Sequence, residues 1–194
     1  MGRLICKCFL RGYEAKSFYN AYIALEQLSK ADTTPELLLY APMVVNGSFS
    51  IELTLKAILV KNHISYGKEH NLLVLFRLLP KPFQDELLTH LIEKAPEYIN
   101  PEKCVEELVL LSNAFVDWRY AFEDNPAPAI DSRFLSAFAN AAIWTMFSHY
   151  NVDLVPSTQV ETDDEIEQKF RENRELCKEA NLRRIEKKNK EHRS

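Results

Sequence analysis

Apolar residues recur at three- and four-residue spacing through most of the chain, the pattern of helices that each bury one face. Over Tyr13–Lys30, Phe18, Ala21, Tyr22, Leu25 and Leu28 form one such stripe and predict a first helix. Asp32-Thr33-Thr34-Pro35 breaks it, with Thr34 suited to cap and Pro35 to open the next helix. The second helix is predicted over Glu36–Val60. Pro42 must kink it or mark its true start, because proline lacks a backbone donor. From Met43 to Val60 nearly every side is apolar, which suits a helix in the middle of a bundle.

A third helix is predicted over Lys68–Leu79, ended by Pro80-Lys81-Pro82, and a fourth over Phe83–Ala95. Pro96 and Pro101 bracket the next break. The fifth helix, Glu102–Glu123, carries the stripe Leu108, Leu111, Phe115, Trp118 and Phe122. Asp124–Ile130, with Asn125-Pro126-Ala127-Pro128, is a loop. Asp131 or Ser132 can cap a sixth helix that runs to about Tyr150. Its small residues Ala137, Ala141 and Thr145 allow a neighbouring helix to come close. The expected fold class is therefore all-α: an up-and-down helical bundle of five to six helices with short connections.

The expected organisation is an N-terminal segment at 1–12, the bundle at 13–150, a linker at 151–160 and a charged helical or disordered tail at 161–194. The tail is acidic first (Glu161, Asp163, Asp164, Glu165, Glu167) and basic last (Arg183, Arg184, Lys187, Lys188, Lys190, Arg193). That order complements a helix dipole, and Glu167–Arg171 and Glu179–Arg183 are favourable four-apart pairs. A solvated helix, a basic arm for RNA or a partner, and a coiled coil all fit it.

Composition sharpens the picture at a few points. Only 4 glycines are present, too few for the tight turns of a β-rich fold of this size. A net charge of −4 gives no bulk attraction to nucleic acid, so any such contact must be local. Cys6, Cys8, Cys104 and Cys177 are scattered, which reads as free thiols in a reducing compartment. Leu4, Ile5, Phe9 and Leu10 give the start an apolar flavour, but Lys7 and Arg11 interrupt it and it is too short for a signal-peptide core. Gly2 does not make a myristoylation site, because Cys6 stands where that motif needs Ser or Thr. No other apolar run of about 18 residues stands out, so the expectation is a cytoplasmic chain with no membrane partner.

Candidate chemistry begins with exclusions. The sequence has no glycine-rich phosphate loop, no His-Glu-x-x-His, no Cys-x-x-Cys and no Gly-x-Ser-x-Gly elbow. Cys6-x-Cys8 lacks a local histidine. No metal and no cofactor is expected.

Three polar groupings remain. Glu52 and Lys56 are four apart in Ile51-Glu52-Leu53-Thr54-Leu55-Lys56-Ala57, and Ser48 extends their line. An ordinary solvent-side ion pair would fit. On a helix apolar nearly all round, the line can instead face a cleft or a polar interface. His70-Asn71-Leu72 opens the third helix, where a histidine commonly caps or packs. Asp117-Trp118-Arg119-Tyr120-Ala121-Phe122-Glu123 offers either a plain Arg119–Glu123 helix pair or an arginine in a cleft holding phosphate by paired hydrogen bonds, with Tyr120 to stack or donate.

At these three places the chain resembles the HEPN superfamily, small helical bundles found in toxin–antitoxin, antiviral and RNA-processing systems. The resemblance rests on Ile51–Ala57, on His70-Asn71-Leu72-x-x-Leu75 and on Trp118-Arg119-Tyr120, and it covers roughly Tyr13 to Tyr150. It implies a homodimer whose later helices meet across a cleft. Many members are metal-independent ribonucleases with an arginine followed, a few residues on, by a histidine. Arg119 matches the arginine, but Asp124, Asn125 and Pro126 stand where the histidine would be. Arginine stays protonated, so Arg119 can stabilise a phosphorane but not transfer protons. His70 or His149 could supply that function only if the fold brings it near.

The expected function is thus binding of RNA, a nucleotide or a protein partner through a cleft around Arg119, with Glu52, Lys56, Asn71, Tyr120 and Glu123 lining it. The first alternative is a metal-independent ribonuclease of a toxin–antitoxin or antiviral defence system, with Arg119 and His70 catalytic and an antitoxin as partner. The second is a structural helical adaptor.

Overall fold

A computed structural model describes residues 2–31, 36–112 and 129–149. Among them are six α-helices, one 3-10 turn and no strand. The helices are α1 (Gly2–Lys30), α2 (Glu36–Lys61), α3 (Leu72–Leu78), α4 (Lys81–Lys94), α5 (Pro101–Ser112) and α6 (Ser132–His149), with the 3-10 turn at Pro96–Ile99. The all-α expectation holds.

α2 is the centre of the bundle and packs against α1, α3 and α6. Its Ile51, Leu55, Ala57, Ile58 and Leu59 are fully buried, as an all-round apolar helix requires. Against it α1 places Ala15, Tyr19 and Tyr22, and Ser50 Oγ donates to the Ala15 carbonyl (2.9 Å). α6 contributes Phe134, Phe138, Ala139, Ala141 and Ala142, all fully buried. Gly47 on α2 lets α6 come close: a Cβ there would lie 2.9 Å from Leu135 Cδ1. Asn140 on α6 donates to the Tyr19 hydroxyl (2.8 Å) and ties α6 to α1. α4 packs on α6, and α5 on α3.

The 24-residue stretch Leu38–Lys61 is long and apolar enough, by length and composition, to cross a membrane, a stretch the sequence reading passed over. Within it 72% of the most apolar window is buried in the bundle, which is how a core helix meets the same criterion.

α4 starts two residues before the predicted Phe83, at Lys81, because proline is accepted in a first helical turn, and two other helix starts differ by more. α1 starts at Gly2, ahead of Tyr13, because no helix breaker separates the two and Gly12 is accommodated inside the helix, facing Met146 at ordinary contact distance. α3 starts at Leu72 and not at Lys68, because Asn71 caps it: its side chain accepts from Val74 N (3.0 Å). Pro42 lies inside α2 on an exposed turn, where a carbonyl left without a helix donor can bond water.

α6 is opened by Asp131, whose carboxylate accepts from Arg133 N (2.9 Å) and Phe134 N (3.3 Å). The Tyr98 hydroxyl donates to its other oxygen (2.5 Å). Ile130, just before it, is clamped by the Tyr40 hydroxyl, which donates to its carbonyl and accepts from its N–H. The part of the predicted fifth helix beyond Ser112, most of the following loop, the Asp32–Pro35 break, the linker and the charged tail lie outside the described residues.

Candidate functional site

Glu52 and Lys56 sit on adjacent turns of α2, and the helix alone brings them together. Lys56 Nζ donates to Glu52 Oε1 at 2.6 Å, and their side chains are 8% and 9% exposed for Glu52 and Lys56. This is a buried pair and not the solvent-side pair that ordinary helix spacing would suggest. In such a place neither charge can stand alone, because water is not there to solvate it. The Tyr66 ring, 5.3 Å from Lys56 Nζ, offers its π face to the same ammonium.

The loop after α2 folds back so that His70 meets this pair. His70 Nδ1 is 2.8 Å from Glu52 Oε1 and 3.4 Å from Lys56 Nζ. A carboxylate only accepts, so Nδ1 carries the hydrogen, and the Lys56 contact is between two donors that share one acceptor. The imidazole is therefore oriented from its buried side, while its side chain is 71% exposed. Nε2 is left as the outward nitrogen, an acceptor in the neutral ring and a donor in the charged one.

Glu69 completes the corner. Its Oε1 accepts from Asn71 N (2.8 Å) and His70 N (2.9 Å), and these two hydrogen bonds hold the carboxyl below the usual range. Asn71 uses its side chain to cap α3, so it positions His70 and does not itself reach the buried pair through any hydrogen bond. Ser112, the last residue of α5, donates to Leu108 O (2.6 Å) and accepts from Leu72 N (3.1 Å) and Leu73 N (3.4 Å). The end of α5 is thereby joined to the start of α3, immediately after His70-Asn71.

Of the residues expected from sequence, Glu52, Lys56, His70 and Asn71 meet at one corner. Arg119, Tyr120 and Glu123 lie outside the described residues, on the segment that follows Ser112. Ser48 does not join the corner: its hydroxyl donates to Val44 O (2.7 Å) in its own helix. His149 is engaged elsewhere, with Glu86 of α4, and its ring lies 4.6 Å from Phe83. Sequence reading missed Glu69, Tyr66 and Ser112. Glu69 has a local signal, an acidic residue two positions before the cap. The other two have none, since loop closure and helix docking bring them in. Among the described residues no group of three or more His, Cys, Asp or Glu side chains could hold a metal ion.

The chemistry available here is hydrogen bonding or proton exchange at one exposed, carboxylate-oriented imidazole. No curated protein and no solved structure matches the chain. Residues 20–136 match the HEPN domain family, a stretch that contains α2, the His70 loop, α3, α4, α5 and the start of α6. Since that stretch is more than half of the 194 residues, the chain belongs to the HEPN domain family.

Proposed function

We propose that this HEPN-domain protein binds RNA at the face that presents His70, with Arg119, Tyr120 and Glu123 of the segment after Ser112 completing a cleft, and that it cleaves the RNA weakly or not at all. The observation that carries the reading is the shared carboxylate of Glu52. A bundle gains little stability from a buried ion pair compared with well-packed apolar residues. Here the pair holds an imidazole whose other side faces solvent. Arg119 supplies the charge for a phosphate, and Tyr120 a face for a base. Asp124, Asn125 and Pro126, in place of the family's histidine, argue against efficient cleavage. The proposal includes a homodimer, as the resemblance implies, and a cytoplasmic setting, as the scattered thiols imply; a place in a toxin–antitoxin or antiviral defence system goes with the ribonuclease reading below.

A second reading, a metal-independent ribonuclease, is favoured by one feature: the outward Nε2 of His70. In that reaction Nε2 takes the 2′-hydroxyl proton, the 2′-oxygen attacks phosphorus, and the bond to the 5′-oxygen breaks. Arg119 bears the phosphorane charge, and the leaving oxygen takes a proton from water.

The test is binding and cleavage of single-stranded RNA in EDTA by the wild type, Arg119→Ala and His70→Ala. Retained binding to wild type, loss in both variants and no cleavage is the expected result. Cleavage in EDTA that disappears in both variants selects the second reading. A folded protein without affinity for RNA overturns both and leaves nucleotide binding or a structural adaptor.

A further inference from the structure

From His70 to Leu75 every backbone N–H has an acceptor. Glu69 Oε1 takes those of His70 and Asn71, Asn71 Oδ1 that of Val74, and Asn71 O that of Leu75. Ser112 Oγ takes the remaining two, those of Leu72 (3.1 Å) and Leu73 (3.4 Å). The first N–H groups of a helix have no partner within it and must find one outside. All the other acceptors come from residues 69–71, so they shape the segment without anchoring it. Ser112 is the acceptor that comes from another helix, about forty residues further on. Its own hydrogen is committed to Leu108 O (2.6 Å), so the hydroxyl cannot rotate to another partner, and its lone pairs point at α3. α3 has only the seven residues Leu72–Leu78 and cannot fix itself by length.

We propose that Ser112 is the positioning residue for His70: its hydroxyl docks the start of α3 on the end of α5 and so fixes the imidazole against Glu52. As a role in ligand binding, this rests on the RNA-binding reading above. As a statement about the His70 ring, it stands by itself. Ser112 is also the residue from which the chain leads on to Arg119. One hydroxyl thus joins the His70 corner to the end of α5, seven residues before Arg119 in the sequence.

The experiment compares the full-length wild type with Ser112→Thr, Ser112→Ala and Ser112→Val. Threonine keeps the hydroxyl, and valine has threonine's shape without it. The ring nitrogens of His70 are read by NMR, and binding to a short fluorescein-labelled single-stranded RNA is titrated in EDTA. The expected outcome is a wild-type Nδ1–H signature in Ser112→Thr and a signature averaged between tautomers in Ser112→Ala and Ser112→Val. RNA affinity should fall about three- to tenfold in Ala and Val, the worth of one or two hydrogen bonds, and stay near wild type in Thr. An unchanged His70 signature in Ser112→Val overturns the proposal.

Should the Ala and Val variants fail to fold, amide exchange of the wild type decides. Leu72 and Leu73 amides that exchange as fast as those of the exposed loop overturn it, and protected ones support it. If His70→Ala binds RNA as the wild type does, the RNA-binding reading fails, while the ring signature still decides the role of Ser112.

Discussion

Among the described residues, imidazoles meet carboxylates in two places, and the two are built differently. At the α2–α3 corner Glu52 is nearly sealed and serves both Lys56 and His70 through one oxygen. Between α4 and α6, Glu86 is 27% exposed and accepts from Ser148 Oγ (2.7 Å) and from His149. His90 sits 3.8 Å from the same carboxylate and stacks on Trp144, ring centroids 5.4 Å apart, with Trp144 itself 53% exposed. Burial works against the charge of Glu86, but the bonds from Ser148 and His149 hold its pKa below the usual carboxylate range. Water reaches this second cluster, so its partners are interchangeable with solvent. At the first, Glu52 and Lys56 are sealed from it and only the His70 ring is exposed. A histidine beside a glutamate is common, whereas a carboxylate that must be paired, and that orients an exposed ring, is a device.

The sharpest way to break the comparison is Glu52→Ala. It leaves the Lys56 ammonium buried without its carboxylate and should cost about 3–5 kcal/mol in denaturant unfolding. Replacing both residues with leucine should restore most of that loss while freeing the His70 ring. A cost below about 1 kcal/mol would mean that the pair is as solvated as an exposed one.

A middle-sized effect is expected at the entrance to α6. There Asp131 caps the helix and accepts from Tyr98, and burial with this bond pushes the tyrosine hydroxyl above its ordinary range. Asp131→Ala should cost about 1–2 kcal/mol by thermal unfolding, the range of a lost N-cap.

The smallest effect is expected at Glu86, and its pH dependence distinguishes it from Glu107 on α5. Glu86→Gln should cost no more than about 1 kcal/mol at neutral pH. Since Glu86 has a lowered folded pKa, its contribution is present above the ordinary carboxylate range and is lost as pH falls through the folded value. Glu107 has the opposite sign. Burial, then the Asp131 carboxylate, push its pKa up, and Glu107 Oε2 is buried with no hydrogen-bond partner. A raised carboxylate binds its proton more tightly in the folded state, so stability falls as pH rises through the window between the ordinary and the raised value. Glu107→Gln should therefore stabilise slightly at neutral pH and make little difference in acid. Unfolding curves of the two variants at both pH values check the signs, and curves that shift in the same direction would refute the assignment.

Much of the fold can be read from the sequence because helix periodicity is local. Phe18, Tyr22 and Leu25 announce α1, Leu87 and Leu91 announce α4, and Leu108 and Leu111 announce α5. Helix ends were less legible. Glu69 and Asn71 carry a local signal for the start of α3, but nothing in Lys68–Leu79 advertises that Ser112 takes the N–H groups of Leu72 and Leu73. The candidate site divides in the same way. Glu52 and Lys56 could be paired from their spacing, and His70-Asn71 could be singled out as a helix opening.

What the sequence determined by itself, then, is the all-α class, the family and the Glu52–Lys56 pairing, since covalent spacing on a helix fixes which side chains are neighbours. Only the tertiary structure decided that the pair is buried, that the loop returns His70 to Glu52, and that Ser112 holds α3 in place. These contacts close long stretches of chain, and burial of the pair depends on what the bundle packs over it. Neither quantity is carried by local spacing.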